Sequence, residues 1–421
     1  MQLTKKVRLY PNKTMIKVLD NLCDYRRYCW NQGLELWNDL YDQRIEMVPA
    51  SLRKKSQLAI KDKTITFSDE EQELLDMFPS PSHHVVQNLM VKDKEDWQYL
   101  LSSRVLQLAV KDLAHAWSAF FNNKKPTKKA SKKEKRKVGK PSFRSKKNLK
   151  QGLKTDRACI KNGKLFLDRP HKHEGAWYGI SFKGYDLPDG KIKHCTITKV
   201  GNKYYASLTI DCPEQPLPKT GKKTAIDANV NHFDYTEGSF AVCPKQLDVL
   251  YAQIKHYQRL LARKRKANGK KATQSKQYIE VRTKLQKCYK HVTNIQNDLL
   301  HKFTTEIYKT YDTVVIEDLD VKTMQMSKKA KNLHRSLFGR FRLYMEYKAK
   351  KFNKQLILAD RYYPSTQRCS NCEHVKTGDD KIGLDGNKKY GTKHNEYVCY
   401  ECGFEADRDH NAVMNLLALA N

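Results

Sequence analysis

Two Cys-x-x-Cys pairs near the end of the chain constrain its fold more strongly than any other feature of the sequence. Cys369 and Cys372 form the first pair, Cys399 and Cys402 form the second, and residues 373–398 separate them. Two such pairs supply the four thiolates of a tetrahedral structural zinc site. A zinc ion with four protein ligands has no free position for a substrate, so we expect it to stabilise the fold. A redox role would need only one such motif, at the start of a helix.

The remaining cysteines are scattered singly, and this pattern predicts reduced thiols instead of a disulfide framework. The first ten residues are too short and too charged for a secretion signal, because they include Lys5, Lys6 and Arg8. The chain also lacks a run of about 18 apolar residues, so we predict no transmembrane helix.

The 421-residue chain carries a formal net charge of +34. A compact protein with this charge repels itself unless it binds a polyanion. Nucleic acid is the partner that these charges favour, since each phosphate contact releases counterions. A membrane surface is the rival partner, but the sequence shows no long basic amphipathic helix next to an anchor. We therefore expect two or three domains that bind nucleic acid and no membrane.

Hydrophobic patterning divides the first half of the chain into a helical part and a β part. Residues 1–12 alternate between apolar and polar side chains, as a strand does. Apolar residues recur every three or four positions over about 14–40 and 85–121, which predicts a helical domain at 13–123. Residues from about 157 to 212 have the pattern of strands. We expect these strands and the first one to form a small barrel.

A strongly basic segment joins the helical part to the β part. Residues 124–150 contain 14 basic residues and one acid. Such a run is typical of a solvated linker, or of a nucleic-acid contact in which an aromatic ring stacks while cations hold phosphates. The candidate contacts lie at the end of the segment and are Lys140, Phe143, Arg144, Lys146 and Lys147.

The second half of the chain, from residue 216 onward, has the pattern of an α/β domain. Two short apolar strands end in the acids Asp227 and Glu317, and long helices lie between them. Carboxylates at the ends of parallel strands can converge on two metal ions about 4 Å apart, as two-metal phosphodiester cleavage requires. Magnesium prefers oxygen ligands and suits such a site.

A third acid stands at the entry to the predicted last helix, near Ala412 to Leu419. The candidates are Asp407 and Asp409. Either acid could instead cap the helix and interact with its dipole, and Asp407 suits the capping role better. Each acid considered alone has such a structural explanation, so the pattern by itself leaves the choice open.

Seven motifs, in one order along the chain, carry a family resemblance. They are Val7–Pro11, Gly139–Lys147, Ala225–Asp227, Asn297–Lys302, Val314–Lys322, Pro364–Cys372 and Cys402–Ala412. In these motifs the sequence resembles the TnpB family, RNA-guided nucleases encoded by insertion sequences, and the related miniature type V CRISPR effectors. The motifs of the second half are more specific than those of the helical first third.

The resemblance implies an α+β multidomain fold. Residues 216–421 would form an RNase H-like (RuvC) α/β nuclease domain, with a zinc-ribbon insertion at about 364–406. A small wedge β-barrel would comprise 1–12 and 124–215, interrupted by a helical recognition domain at 13–123.

The resemblance also assigns the metal ligands. Asp227, Glu317 and Asp409 would hold two catalytic Mg²⁺ ions, because the family's Asp-x-Asn pattern selects Asp409, with Asp407 as the second choice. The four cysteines of the two pairs would hold one structural Zn²⁺ ion.

The activity that the resemblance implies is RNA-guided cleavage of DNA. A guide RNA would pair with target double-stranded DNA next to a short flanking motif, and the displaced single strand would enter the nuclease site. The alternative is an RNA-guided DNA-binding protein without cleavage, which loss of a metal-binding acid would mark. A monomer or a homodimer would bind one guide RNA. We expect the protein in the cytoplasm of a prokaryote, associated with the nucleoid.

Three departures from the family pattern stand out. Asn229 replaces the usual glycine two residues after the first acid, and asparagine tolerates a left-handed backbone best after glycine. The spacer between the cysteine pairs is longer than usual, which affects the expected lid over the site. Residues from about 41 to 85 have no counterpart in the family.

Overall fold

The structure, a computed structural model, divides into two compact units, Met1–Pro213 and Glu214–Asn421. The residues that it describes are 1–60, 62–124, 139–146, 150–170, 172, 177–183, 187–229, 232–242, 244–269, 273, 275–319, 337–383, 386–387 and 389–420.

The first unit contains a seven-stranded antiparallel sheet. Its strands are β1 Gln2–Tyr10, β2 Lys150–Thr155, β3 Cys159–Lys161, β4 Lys164–Phe166, β5 Ile180–Lys183, β6 Lys191–Val200 and β7 Lys203–Asp211. They lie in the order β2-β6-β7-β1-β5-β4-β3. The first strand therefore pairs with a distant one, and Leu3 lies opposite Ile210. The buried residues Leu3, Val7 and Leu9 follow the alternation of the sequence.

Six described helices lie between β1 and β2. They are α1 Lys13–Met47, α2 Ala50–Ala59, α3 Asp69–Met77, α4 His83–Lys92, α5 Asp96–Tyr99 and α6 Ser103–Lys124. The side chain of Asn12 caps α1 by accepting a hydrogen bond from the backbone N–H of Met15, at 2.8 Å. Helices α1 and α6 pack together through their apolar faces, where Trp37 stacks on Trp117 with 6.1 Å between ring centroids.

Helices α2 and α3 occupy part of the stretch that has no family counterpart. Ser68 and Glu71 form a capping box at the start of α3, in which each side chain binds the other residue's backbone N–H. Helix α3 thus begins with an ordinary local signal.

The second unit contains a five-stranded mixed sheet. Its strands are β8 Lys223–Ala228, β9 His232–Tyr235, β10 Gly238–Ala241, β11 Thr313–Glu317 and β12 Gln355–Ala359. They lie in the order β10-β9-β8-β11-β12. The three strands β8, β11 and β12 are parallel, whereas β9 and β10 continue the sheet in antiparallel pairing from β8.

Helices cover both faces of this sheet. The four described helices are α7 Gln246–Asn268, α8 Lys276–Thr310, α9 Phe338–Phe352 and α10 Arg408–Leu417. Ile226 and Ile316 join a core with residues of α8 and α9, whereas Ala225 and Val315 pack against Val413 of α10. Because both faces are covered, the central strands are apolar almost along their whole length.

The cysteine region follows β12 and has a small core of its own. Its hairpin consists of β13 Glu396–Val398 and β14 Glu405–Asp407. Ile382 and Tyr397 are buried there together with Cys369 and Cys399. A cluster this small has little apolar area to bury, so its stability depends on further cross-links such as a metal ion.

The long spacer between the cysteine pairs folds around Asn387. This side chain is buried, and its amide donates hydrogen bonds to the backbone carbonyls of Asp379 and Lys381 at 2.9 and 3.2 Å. Tyr390 stacks on Tyr400, with ring centroids 3.7 Å apart. Tyr390 thereby packs the described end of the spacer against the second cysteine pair.

The chain is a mixed α+β protein, as the sequence predicted. Among the described residues, no helix is both long enough and apolar enough to cross a membrane.

Candidate active site

Two of the predicted acids lie level with each other at the edge of the second sheet. Asp227 is the second-last residue of β8, and Glu317 is the last residue of β11. These strands are parallel neighbours, and Ile226 pairs with Ile316, so the acid that follows each isoleucine reaches the same end of the sheet. Asp227 is only 5% exposed.

The third acid reaches the same place from helix α10. Asp407 is the N-cap of the helix, and its Oδ1 accepts hydrogen bonds from the backbone N–H groups of Asp409 (2.9 Å) and His410 (3.1 Å). The capping role that the sequence favoured for Asp407 is confirmed. Asp409 lies in the first helical turn, and its charge acts on Asp227.

The carboxylates of this cluster destabilise one another's negative charge. Burial raises the pKa of Asp227 well above its ordinary value, and the charges of Glu317, Asp409 and Asp234 raise it further. Burial also raises the pKa of Glu317, against a hydrogen bond of 2.6 Å from Ser365 Oγ to Glu317 Oε1. Such a group of carboxylates is stable in its charged form when cations neutralise it.

Sequence reasoning missed Asp234 and His232 as members of this cluster. Asp234 lies on β9 directly opposite Asp227. His232 Nε2 is 2.9 Å from Asp234 Oδ2 and 3.4 Å from Asp409 Oδ2. The available signal was the alternation around Phe233, whose ring is buried in the core and whose two neighbours therefore share the opposite face.

Asn229 connects the two facing carboxylates. Its Nδ2 donates to Asp227 Oδ2 at 3.1 Å and to Asp234 Oδ2 at 3.2 Å. The backbone of Asn229 is not left-handed, so the tolerance of asparagine for a positive φ is not needed at this position. Its backbone N–H instead donates to the carbonyl of His232 at 3.0 Å.

The four paired cysteines come together as the sequence predicted. Sγ of Cys369 is 3.7 Å from Sγ of Cys402, and Sγ of Cys372 is 3.5 Å from Sγ of Cys399. All four sulfur atoms lie within 4.8 Å of one another. Tetrahedral ligands at about 2.3 Å from a zinc ion would be about 3.8 Å apart, so the cluster fits a metal ion of this kind.

Buried asparagines tie the cysteine region to α10. Asn411 is 0% exposed. Its Oδ1 accepts a hydrogen bond from the backbone N–H of Ser370 at 3.0 Å, and its Nδ2 donates to the carbonyl of Arg368 at 2.8 Å. Asn415 Nδ2 donates to the carbonyls of Ser365 and Arg368 at 2.9 and 2.6 Å. The helix that carries Asp409 is therefore held against the first cysteine pair.

Arg144, a predicted nucleic-acid contact, packs within the first unit. Its guanidinium lies 3.4 Å from the centre of the Trp30 ring. Its backbone N–H donates to Asn31 Oδ1 at 2.8 Å, and its carbonyl accepts from Asn31 Nδ2 at 3.1 Å. Burial lowers the pKa of Arg144 to about 10. These contacts give Arg144 a role in holding the end of the basic segment on α1.

The other candidate nucleic-acid contacts of the basic segment differ in their exposure and in their neighbours. Phe143 is 60% exposed. Lys146 Nζ is 3.0 Å from Asp24 Oδ2, and Lys140 Nζ lies 5.4 Å from the Trp117 ring centre. Lys147 lies outside the described residues.

The fold and the site define a class of protein: a basic α+β chain with a carboxylate cluster suited to divalent cations and a four-cysteine metal site beside it. Three family models match in order. A helix-turn-helix domain of the OrfB_IS605 group matches residues 1–46, the OrfB_IS605 "Probable transposase" model matches 204–328, and the "Cas12f1-like, TNB domain" matches 338–416.

Several curated proteins are similar to the chain in sequence. The chain is 27% identical to a "Putative RNA-guided DNA endonuclease" of Streptomyces pristinaespiralis, over 78% of this chain and 74% of the relative. It is 25% identical to InsQ of Escherichia coli, over 78% and 77%, and 26% identical to the TnpB-like protein L79 of Acanthamoeba polyphaga mimivirus, over 51% and 40%. The predicted resemblance to the TnpB family is confirmed by these matches.

Among solved structures, a Cas12f1 chain from a complex with sgRNA and target DNA is similar along 99% of this chain and 98% of its own length. The TM-score is 0.48 and the sequence identity is 13%. This is a distant likeness.

Proposed function

We propose that this protein is an RNA-guided DNA endonuclease and that Asp227, Glu317 and Asp409 form its active site. The observation that carries the proposal is the convergence of the three carboxylates at one sheet edge, where Asp409 is close enough to raise the pKa of Asp227. The relatives from Streptomyces and Escherichia carry names that describe this activity.

The donor set fits divalent cations. Among the described residues, no lysine or arginine forms an ion pair with any of the three carboxylates. Two Mg²⁺ ions held by Asp227, Glu317 and Asp409 would activate the attacking water and stabilise the leaving 3′ oxygen. The positive charge of two such ions would offset the negative charge of the carboxylates and let a phosphate approach.

The chain's own residues prepare these ligands. Ser365 orients Glu317 by its hydrogen bond, and Asn229 orients Asp227. The cap at Asp407 fixes the first turn of α10 and with it the position of Asp409. Because the supports come from strands and a helix, the ligands are held more rigidly than ligands on loops would be.

We assign the second unit to an RNase H-like (RuvC) nuclease domain over 216–421. The strand order, with a hairpin at one edge and three parallel strands beside it, supports the assignment. The four-cysteine region at about 364–406 would bind one Zn²⁺ ion as a zinc ribbon. Residues 1–12 and 124–215 would form the wedge domain, and 13–123 the helical recognition domain.

The partners would be a guide RNA, the target double-stranded DNA and its displaced strand. The charge of +34 favours extended contact with nucleic-acid backbones. Sequence specificity would come from base pairing between guide and target, while the protein holds the backbones. In the basic segment, Phe143 has the exposed ring that a stacking contact needs.

The experiment begins with the RNA that copurifies with the protein when it is expressed from its native locus. The complex is incubated with Mg²⁺ and a plasmid library that carries the match to this RNA beside randomised flanks. Asp227→Ala serves as the inactive variant, and Asp298→Ala, an exposed acid on α8, serves as the matched control.

We expect plasmids with one flanking motif to be depleted by the wild type and by Asp298→Ala, and not by Asp227→Ala. Binding of the matched plasmid without cleavage would favour the alternative, an RNA-guided DNA-binding protein. Absence of any bound RNA would overturn the proposal.

A further inference from the structure

Two further side chains lie beside the three expected acids at the edge of the second sheet. His232 and Asp234 lie on β9, and their donor atoms are within 4.8 Å of each other and of a carboxylate oxygen of Asp409. One nitrogen and two oxygens at this separation can contact a single divalent cation.

Strand β9 sets the direction of both side chains. Phe233 is fully buried, so the alternation of the strand directs His232 and Asp234 to the other face, on the side of Asp227. The hairpin between β8 and β9 is closed by the hydrogen bond from the backbone N–H of Asn229 to the carbonyl of His232. Ligands on paired strands keep their spacing better than ligands on free loops.

The negative charges of the cluster favour the binding of cations. Asp227, Glu317, Asp409 and Asp234 bring four carboxylates together at the sheet edge. Within the described parts of the chain, His232 is their only ion-pair partner, and its ion pairs are with Asp234 and Asp409. Two divalent ions would neutralise about four negative charges, whereas one would not.

We propose that His232, Asp234 and Asp409 together hold the second of two metal ions, and that His232 makes this position favour a first-row transition ion such as Mn²⁺ over Mg²⁺. The inference rests on the proposed function for the role of Asp409, while Asp227 and Glu317 hold the first ion. Mg²⁺ selects oxygen ligands and keeps most of its water, whereas imidazole nitrogen binds transition ions more strongly.

The test measures metal binding directly on the full chain loaded with zinc. Mn²⁺ is titrated into the protein and free Mn²⁺ is followed by electron paramagnetic resonance. The variants are His232→Asn and Asp234→Asn, and the matched controls are His256→Asn and Asp298→Asn, both exposed on helices of the same unit.

We expect two Mn²⁺ ions per wild-type chain. In His232→Asn and Asp234→Asn one ion should bind as before, and the affinity for the other should fall by about 10- to 100-fold or more, the range seen for weaker perturbations around a metal. The two control variants should match the wild type. Unchanged binding of two ions by both site variants would overturn the assignment.

The unmodified protein gives a second test that needs no variant. Electron spin-echo modulation of the Mn²⁺-loaded chain should show the coupling of a directly bound imidazole nitrogen, and this coupling should be absent in His232→Asn. Its absence from the wild type would overturn the assignment even if the variants misfold.

Cleavage assays separate this inference from the proposed function. If the wild type cleaves guided DNA, the ratio of its rates with Mn²⁺ and Mg²⁺ should fall in His232→Asn. If binding depends on His232 and Asp234 but no nucleic acid is cleaved, the metal site stands and the proposed function fails. If guided cleavage is found but Mn²⁺ binding does not depend on His232 or Asp234, the proposed function stands and the proposed metal site fails.

Discussion

Asp227 is buried in a position where its ionised form is unfavourable. Its pKa is raised by burial first and by three neighbouring acids next. Without metal, the folded protein therefore holds a proton on this group at a pH where the unfolded chain releases it. Stability is then unaffected below the ordinary pKa of an aspartate, about 3.9, and falls as pH rises toward the raised pKa.

Removing this charge should stabilise the protein when no divalent ion is bound. In magnesium-free buffer at pH 8, Asp227→Asn should melt a few degrees higher than the wild type, since about 1 kcal/mol shifts Tm by roughly 2–4 °C in a unit of this size. The difference should vanish near pH 4, and DNA cleavage should be lost. Thermal melts across this pH range check the sign, and a lower Tm at pH 8 would contradict it.

Two adjacent residues of the basic segment, Phe143 and Arg144, have different surroundings. Arg144 is stacked on Trp30 and pinned by Asn31, whereas the ring of Phe143 is mostly exposed. The sequence predicted both as nucleic-acid contacts because it shows only their composition. The partner of Arg144 is more than a hundred positions earlier in the chain, and no local pattern reveals that contact.

This contrast predicts opposite results for two adjacent substitutions. Arg144→Ala should lower the free energy of unfolding by about 1–2 kcal/mol, because a desolvated cation–π contact is lost. Phe143→Ala should leave Tm unchanged and weaken RNA binding by about 1–3 kcal/mol, as expected for a lost stacking contact. Thermal melts and filter binding distinguish them. Equal loss of stability in both variants would argue against separate roles.

At the scale of elements, the start of α10 depends on the cysteine region. Asn411 and Asn415 bond to backbone groups of the segment that carries Cys369. Within the cysteine region itself, Lys376 is 1% exposed, its ammonium donates to the carbonyl of Val398, and the same group lies 3.4 Å from the centre of the Tyr400 ring. The metal site and the acid at Asp409 are thus structurally coupled.

Loss of the zinc site should therefore disturb the acidic site as well. Cys372→Ser should reduce bound zinc and speed hydrogen exchange in the first turn of α10, because the backbone that Asn411 holds is no longer anchored. Cys288→Ser, outside the cluster, should keep both properties. Zinc release assays and exchange mass spectrometry test this, and protection of α10 unchanged in Cys372→Ser would contradict the coupling.

The elements that the sequence predicted best are those with a strong period. The strands that carry Asp227 and Glu317 follow from short apolar runs covered on both faces. The hairpin of β9 and β10 was missed because two four-residue strands are too short to show a period. The last helix begins at Arg408, four residues before the predicted Ala412, because its first turn is polar and is stabilised by the cap at Asp407.

At the scale of the whole molecule, the excess charge is the dominant property. A net charge of +34 over 421 residues opposes compaction and favours phosphate contacts. Composition predicted the class of partner for this reason, but the bound positions depend on how the fold arranges the charges, which composition does not contain.

Binding of the guide RNA should depend steeply on salt. If the protein makes about 6–10 phosphate contacts, affinity should fall by about 10³–10⁵ between 50 and 200 mM salt. Asp227→Ala should show the same slope, since a carboxylate makes no phosphate contact. Titrations at several salt concentrations measure this, and a flat dependence would mean that the charge serves another purpose.

The place of β1 inside the seven-stranded sheet has a consequence for synthesis on the ribosome. This strand emerges first, yet its neighbours β5 and β7 end at Lys183 and Asp211. At about 5–20 residues per second, β1 waits roughly 10–40 s for β7 to be synthesised. The helices between them can pack during that interval, because their contacts are more local. The nascent chain must therefore keep its first strand from pairing elsewhere until half of the protein has been translated.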